Sequence, residues 1–290
     1  MSEPGFQVER LVDAKTFLGV AGPFLVDREA ENNLLFGIAE NLIKDPDRLM
    51  TASPYFAAVR RDGGVVAAAL MTPPFNVVMS WTGDPDAVAA LADDLDRGRS
   101  PVPGITAPVD VARSFVERWA ARHKVTSRRT MAERIYRVER VTAPRGVPGI
   151  VRIAGPADRD LLVGWMQAFL REALPNSNLA EAGAMVDSAL QTGTRIFHVW
   201  EVDGRPVSVA GITGPTPNGI RLGPVYTPPE DRGHGFASAV TAAASQTQLD
   251  AGRRFVFLFT DLANPTSNKI YQAIGYEAVI DIDQWSLEPA

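Results

Sequence analysis

Cysteine is absent from this chain of 290 residues. Disulfide bonds, thiolate metal sites and cysteine nucleophiles are therefore excluded, although the absence fits any cellular compartment. No apolar run reaches the roughly 18 residues of a membrane-spanning helix, because residues 65–79 are interrupted by Pro73, Pro74 and Asn76. Residues 1–5 show neither the basic nor the apolar segment of a signal peptide. These absences predict a soluble cytoplasmic protein without a membrane partner.

Positive charge is also in short supply. The 29 Lys and Arg residues are outnumbered by 34 Asp and Glu residues, for a net charge of −5. An acidic chain argues mildly against nucleic acid as the main partner, and we expect none. Residues 113–140 are a local exception, with nine basic and three acidic residues. A basic stripe can bind nucleic acid or an acidic acceptor, but it is more often the solvated face of a helix and a strand.

The most informative segment joins an apolar strand to a helix of small residues. It reads Val225-Tyr226-Thr227-Pro228-Pro229-Glu230-Asp231-Arg232-Gly233-His234-Gly235-Phe236-Ala237-Ser238. Gly233 and Gly235 can adopt positive φ and let a ligand approach the backbone. The first N–H groups of the following helix point at the same place, where the helix dipole favours negative charge. Arg232 adds a planar cation that can hold phosphate in a fork, so the segment predicts a phosphate-binding loop.

Two common phosphate motifs do not fit this loop. The dinucleotide pattern G-x-G-x-x-G directly follows a strand, whereas Pro228 and Pro229 intervene here and the third glycine is missing. The P-loop pattern G-x-x-x-x-G-K-[ST] does not occur in the sequence. The segment instead resembles the acetyl-CoA loop of the GNAT N-acetyltransferase superfamily, Q/R-x-x-G-x-G/A. Arg232, Gly235 and Ala237 match its three specified positions.

A second segment resembling the same superfamily follows. Residues 255–260 are apolar and β-rich, which predicts a buried strand. Pro265 and Gly275 suit the first position and the C-cap of the next helix, with Asn264 as its N-cap. The superfamily pattern N-x-x-[S/N]…Y…G-[F/Y] is met by Asn264, Ser267, Tyr271, Gly275 and Tyr276. Together the two segments extend the resemblance over residues from about 150 to 290.

The chain also repeats itself at a constant offset of 141 residues. Residues 56–74 and 197–215 share seven identities in nineteen ungapped positions, and each copy reads as strand, Asp-Gly turn and strand. The length suits two ordinary domains, and the flanks repeat the same order of elements. We therefore predict an α/β chain of two tandem GNAT-like domains, residues 1–143 and 148–290. Each should have a central mixed, mostly antiparallel sheet flanked by helices.

The N-terminal copy departs from the superfamily pattern in both cofactor segments. Residues 81–86, Trp-Thr-Gly-Asp-Pro-Asp, stand where the phosphate loop should be, and their two acids would repel a pyrophosphate. Phe115 and Trp119 occupy the region of the second segment. We expect residues 1–143 not to bind coenzyme A. This domain would instead supply walls for the acceptor pocket or a rigid interface.

The resemblance implies acetyl-CoA as co-substrate, an amine acceptor and no metal. The strand over residues 220–227 would hold the pantetheine arm, and a bulge at Gly223–Pro224 would splay it from residues 255–260. The residues implied in cofactor binding are Val225, Tyr226, Thr227, Arg232, Gly233, His234, Gly235, Phe236, Ala237, Ser238, Asn264, Ser267, Asn268 and Tyr271. Asn264 has two open roles, cofactor contact and plain helix cap, and both can hold.

Tyr271 is implied as the group that faces the sulfur, as a general acid for the departing thiolate. A phenol has a pKa of about 10 and a thiol about 8.5, so full proton transfer would be uphill by roughly 2 kcal/mol. A hydrogen bond to the thiolate is the safer description, and a plain core tyrosine is the alternative. Glu201 is a candidate general base whose side chain can point in or out. His198 is more often a packed core histidine than a base, and a water-mediated route is also open.

Three functions remain open at this point. The first is acetyl transfer to a small amine or a peptide amine by direct attack on the thioester. The second is transfer of a longer acyl chain, because tandem chains resembling mycothiol synthase and glycine N-acyltransferases also pair two such domains. The third is a non-catalytic acyl-CoA sensor or partner-binding module. Replacing Tyr271 separates catalysis from sensing, since a sensor has no turnover to lose.

Overall fold

The computed structural model describes residues 5–46, 51–98, 101–173 and 178–290. Helices and strands form a mixed α/β architecture, and the described residues divide into two compact units. The first unit is drawn from Met1–Ile135, Phe259–Asn264 and Ala278–Ala290, and the second from Tyr136–Leu258 and Pro265–Glu277. Of the helices in the described ranges, none is both long and apolar enough to cross a membrane.

The two halves of the chain have the same order of elements. The first half contains β1 (Gln7–Arg10), α1 (Ala14–Val26), α2 (Asn33–Lys44), β2 (Tyr55–Arg61), β3 (Gly64–Met71), β4 (Val77–Met79), α3 (Pro85–Arg97), β5 (Gly104–Pro108), α4 (Val109–Ala120) and β6 (Val125–Val138). The second half contains β7 (Ile150–Ile153), α5 (Arg159–Ala173), α6 (Ala182–Thr192), β8 (Arg195–Val202), β9 (Arg205–Pro215), β10 (Gly219–Tyr226), α7 (Phe236–Asp250), β11 (Phe255–Asp261), α8 (Pro265–Ile274) and β12 (Glu277–Pro289).

The first unit has one sheet with helices on both faces. Its strands lie in the order β1-β2-β3-β4-β5-β12-β6. The β4–β5 pair is parallel, whereas the pairs from β1 to β4 and the β5–β12 pair are antiparallel. Side chains alternate along β3, because successive residues of a strand point to opposite faces. Ala69 and Met71 pack with α3 and α4, while Ala68 and Leu70 pack with α1 and α2.

The second unit repeats this layering. Its strands lie in the order β11-β10-β9-β8-β7, with a parallel β10–β11 pair and antiparallel pairs elsewhere. Val209 packs with α5 and α6 on one face of β9, and Ala210 packs with α7 and α8 on the other. The fold class predicted from the sequence, a mixed sheet flanked by helices, is therefore confirmed in both units.

The duplication is visible in the backbone of two hairpins. The Asp62–Gly63 turn has φ values of 52° and 82°, and the Asp203–Gly204 turn has 50° and 75°. Positive φ at both central residues matches the twist of a two-residue hairpin. The first strand of each hairpin also has a register irregularity, at Val59–Arg60 in β2 and at Trp200–Glu201 in β8. These positions are again 141 residues apart, so the repeat extends to an irregularity that the hydrophobic pattern does not predict.

The compact units differ from the predicted domains, residues 1–143 and 148–290, in the assignment of residues 136–143, of Phe259–Asn264 and of the last strand. β12 pairs with β5, from Ile282 opposite Pro108 to Ser286 opposite Gly104, and groups with the first unit. The prediction followed adjacency in the sequence, which cannot reveal a pairing between strands so far apart in the chain. The boundaries stay a prediction for the extent of the duplicated sequence.

The basic segment, residues 113–140, lies mainly on α4 and β6. Several of its arginines are in ion pairs: Arg118 with Asp93, Arg129 with Asp283, Arg134 with Asp281, and Arg137 with Glu139. Neighbouring carboxylates therefore offset much of the positive charge of the segment. This arrangement supports a solvated face rather than a nucleic-acid site.

Gly104 supplies a stability prediction, because β5 approaches β12 closely at this residue. A Cβ atom there would overlap the carbonyl oxygen of Trp285 and crowd the side-chain oxygen of Asn76. Gly104→Ala is therefore expected to lower the free energy of unfolding by about 1–3 kcal/mol, measured by urea titration. Gly64→Ala is the matched control, since a Cβ on that strand glycine would lie 3.7 Å from the carbonyl oxygen of Arg61. Equal losses in both variants would contradict the steric explanation.

Candidate functional site

The site begins with an irregularity in β10. The register between β10 and β9 shifts between Leu222 and Val225, where Gly223 and Pro224 stand opposite Gly211 alone. This bulge was predicted from the Gly-Pro pair and is confirmed. A Cβ atom on Gly211 would lie 2.9 Å from the carbonyl oxygen of Gly223 and 3.2 Å from Cδ of Pro224. The bulge therefore packs directly against Gly211, where a larger side chain would crowd it.

Within the second unit, β10 also pairs with β11 before the bulge. Gly219–Arg221 pair in parallel with Phe255–Phe257 of β11. Beyond Arg221, the described residues of the second unit show β10 paired with β9 alone. The splay of the two parallel strands stays a prediction, because Phe259–Asp261 at the end of β11 belong to the first unit. Such a splay would let one edge of β10 near Val225 receive an extended ligand by β-like backbone hydrogen bonds.

The loop after β10 leads to a helix N-terminus that no side chain caps. A single 3-10 turn, Pro229–Asp231, follows the strand, and α7 begins at Phe236. Gly233 and Gly235 have φ values of 83° and 82°, as their predicted role requires. Gly235 is the N-cap of α7 and brings no side-chain hydrogen bond. In the described part of the chain, the backbone N–H groups of residues 233–238 have no acceptor.

An open helix N-terminus of this kind suits an anion. Its free N–H groups converge on one point, and the helix dipole makes that point positive. Ala237 and Ser238 lie in the first turn of α7 and extend the set of free N–H groups. The ring of His234 stacks on Phe236 at 5.4 Å between centroids, and its Nδ1 lies 3.3 Å from the carbonyl oxygen of Asp231.

In the first unit, the N-terminus of the corresponding helix, α3, is capped by the side chain of its own N-cap residue. Asp84 is the N-cap of α3, and its carboxylate accepts a hydrogen bond from the backbone N–H of Asp86 at 3.1 Å. Arg61 forms an ion pair with the same carboxylate. The end of α3 therefore already carries a negative group, whereas the end of α7 does not.

Arg232 is not free in this structure. Its Nε donates to the carbonyl oxygen of Thr227 at 2.9 Å, and its Nη2 donates to Glu172 of α5 at 2.7 Å. The guanidinium carbon also lies 5.8 Å from the ring centroid of Tyr226. The Tyr226 ring packs in the cluster with α5 rather than beside the open helix end. The sequence identified Arg232 as a cation of the loop but did not reveal its acidic partner.

Two further contacts hold the loop in place. Asp231 is buried, and Arg205 at the start of β9 donates to both of its carboxylate oxygens, at 2.6 and 2.9 Å. This hydrogen bonding lowers the pKa of Asp231. The hydroxyl oxygens of Ser208 and Thr227 are 2.8 Å apart, which ties the end of β10 to β9. Sequence reasoning missed these pairs, although an acid inside a phosphate loop signals that a cation must neutralise it.

Tyr271 lies in α8, which begins at Pro265 as predicted. The side chain is 9% exposed, and its ring meets the ring of Tyr276 edge-on at 6.0 Å. Within the described residues, no acceptor takes a hydrogen bond from its hydroxyl group. Burial raises the pKa of Tyr271 to about 12. The hydroxyl therefore stays protonated and retains a hydrogen bond to donate.

The other predicted residues of this segment are divided. Asn268 accepts a hydrogen bond from the hydroxyl of Tyr136 at 3.0 Å, and Gln272 donates to the same hydroxyl at 3.2 Å. Asn268 therefore anchors α8 to β6. Ser267 lies in the first turn of α8. Asn264 is exposed and belongs to the first unit, so its roles as cap and cofactor contact stay predictions.

Comparisons with known proteins bear on this geometry. Residues 209–286 match the family described as FR47-like protein. A solved Drosophila protein has a TM-score of 0.67 and 13% identity, covering 98% of this chain and 99% of its own. A GCN5-related N-acetyltransferase from Sphaerobacter thermophilus has a TM-score of 0.62 and 16% identity, and the match covers 98% of this chain and 96% of that one. A tandem GNAT protein from the clavulanic acid biosynthesis pathway has a TM-score of 0.58 and 14% identity, and the match covers 99% of both chains.

This chain has a tandem GNAT fold. No curated protein matches it in sequence. The FR47-like match runs from β9 into β12 and includes the bulge, the loop, α7 and α8. The bulge, the loop and both helices therefore lie in the part of the chain that the family model matches.

The candidate bases lie on β8 of this GNAT fold. Glu201 accepts from Arg152 at 2.7 Å, and Arg152 also donates to both carboxylate oxygens of Asp158. The carboxylate of Glu201 is therefore already engaged by a cation. His198 is 2% exposed, neither ring nitrogen has a hydrogen-bond partner in the described residues, and burial lowers its pKa. The interpretation of His198 as a packed core histidine is confirmed.

Proposed function

We propose that this chain is an acetyl-CoA-dependent N-acetyltransferase whose acceptor is the amine of a small molecule or a peptide. The observation that carries the proposal is the open N-terminus of α7, which follows the bulged strand β10. A helix end with free N–H groups favours a phosphate, and a free strand edge favours an extended arm. Coenzyme A carries both groups in one molecule. The tandem GNAT fold supports the same class of ligand.

In this proposal, different residues bind different parts of coenzyme A. The free N–H groups of residues 233–238 would hold the pyrophosphate, each such charge-assisted bond contributing roughly 1.5–3 kcal/mol. The backbone of Val225 and Thr227 would hold the pantetheine arm. Arg205 and Asp231 keep the loop in register while the phosphate binds.

Tyr271 would act on the leaving group. The amine nitrogen forms a bond to the acetyl carbon while the carbon–sulfur bond breaks, and the electron pair leaves with the sulfur. With a pKa of about 12, Tyr271 would transfer its proton to a thiolate of pKa about 8.5 only uphill, by roughly 5 kcal/mol. A hydrogen bond from its hydroxyl is therefore its contribution. We assign removal of the amine proton to water, because Arg152 already holds Glu201 and His198 is buried.

Calorimetric titration with acetyl-CoA tests the proposal through its stoichiometry. We expect one site per chain, because the end of α7 is open while Asp84 fills the end of α3. One site would justify a screen of amines by release of free thiol. Two sites would show that the first unit binds coenzyme A after all. No saturable binding by calorimetry and by a second method would remove the acetyltransferase proposal and leave the fold.

A further inference from the structure

The cation of the phosphate loop already has an anionic partner. Arg232 immediately precedes Gly233, and its Nη2 donates to Oε2 of Glu172 at 2.7 Å. Glu172 lies in the last turn of α5, the helix on the opposite face of the sheet from α7. The ion pair therefore links the phosphate loop to a helix that has no part in the loop itself.

The contacts of Arg232 allow it to exchange Glu172 for another anion. The two side chains are 47% and 46% exposed, and water weakens an ion pair of that exposure. Arg232 has a second anchor, because its Nε donates to the carbonyl oxygen of Thr227 at 2.9 Å. The guanidinium can therefore release Glu172 without leaving the loop. A phosphate at the end of α7 offers the same charge-assisted bond and gains the backbone N–H groups as well.

The charge of Glu172 also reaches the end of β10. Burial is the largest cause of the raised pKa of Tyr226, and the nearby charge of Glu172 is the second. Tyr226 is the last residue of β10, next to the loop. The charge of Arg232 acts on the same residue in the opposite direction, so Glu172 offsets the positive charge of Arg232 at this place.

We propose that Glu172 sets the affinity of the chain for acetyl-CoA, by competing with the pyrophosphate for Arg232. The inference rests on the proposed function, since it assumes a pyrophosphate at the end of α7. Coenzyme binding then frees the carboxylate of Glu172 and unlinks α5 from the loop. Glu172 acts through Arg232 and is an affinity-determining residue rather than a catalytic one.

Calorimetric titration of four proteins with acetyl-CoA tests the exchange: the wild type, Glu172→Gln, Arg232→Gln and the double variant. Glu172→Gln is expected to lower the dissociation constant about two- to fivefold, the range of an exposed ion pair. Arg232→Gln should raise it. In the Arg232→Gln background, Glu172→Gln should bring little or no gain, because the two residues act through one contact.

Asp160→Asn is the matched control. Asp160 lies in the first turn of the same helix, its side chain is 95% exposed, and it pairs with Arg159 rather than with the loop. Removing its charge should leave the affinity unchanged, and thermal melting should show all variants folded. An unchanged or higher dissociation constant for Glu172→Gln would overturn the inference, as would an equal gain in the Arg232→Gln background or from Asp160→Asn. Failure of the wild type to bind acetyl-CoA is a separate result, and it overturns the proposed function instead.

Discussion

Replacing Tyr271 with phenylalanine is expected to reduce the turnover number by roughly 10²-fold, the effect of removing one donor from a developing negative charge. The dissociation constant for acetyl-CoA should change less than about twofold, because the substitution removes a hydroxyl group and leaves the ring packing intact. The hydroxyl of Tyr271 has no acceptor in the described chain, so its loss breaks no internal hydrogen bond. Thiol release gives the turnover number, and calorimetry gives the affinity.

Tyr276→Phe is the matched control for this experiment. Tyr276 lies edge-on to Tyr271, is also buried and gives the same chemical change. Its hydroxyl lies 2.7 Å from that of Ser245, a residue of α7, so its loss should lower stability and leave turnover nearly intact. Equal turnover in wild type and Tyr271→Phe would identify Tyr271 as a core tyrosine. Tight binding of acetyl-CoA by a wild type that acetylates no amine would favour the sensor.

The parts of the site that sequence predicted are those set by local rules. Gly233 and Gly235 adopt positive φ because the turn into α7 needs it, and glycine is the residue that allows it. Gly223 and Pro224 form a bulge because neither residue suits a regular ladder. The Asp-Gly turns at 62–63 and 203–204 follow from the same kind of rule. Each feature is contained within a few residues of chain, so composition and spacing were sufficient.

The parts that sequence missed are pairs of distant residues. Arg232 and Glu172 are 60 positions apart, and Tyr136 and Asn268 are 132 apart. No periodicity connects such residues, because their contact depends on how strands and helices pack. The interpretation of Arg232 as a free phosphate ligand was incomplete for this reason. The pairing of β12 with β5 was not predicted for the same reason, because strand order is a property of the whole sheet and not of either segment.

Filling the open helix end should abolish coenzyme binding. Gly235→Asp places a carboxylate at the N-cap of α7, where Asp84 already sits on α3. The carboxylate would bring a negative charge to the free N–H groups that the pyrophosphate needs, and it would repel the pyrophosphate. We expect the dissociation constant for acetyl-CoA to rise at least about 100-fold, from the loss of two charge-assisted bonds. Calorimetry measures the loss.

Gly235→Asn separates charge from shape in this experiment. Both new side chains meet the same φ of 82° and the same crowding, because a Cβ atom at Gly235 would lie 3.0 Å from Cγ2 of Val147. Asparagine tolerates positive φ better than most residues, so the strain should stay small. The dissociation constant for acetyl-CoA should therefore rise about tenfold in the asparagine variant, against about 100-fold in the aspartate variant. Equal losses would assign the effect to shape alone, and the open, uncharged end of α7 would then not explain why only one half of the chain should bind the coenzyme.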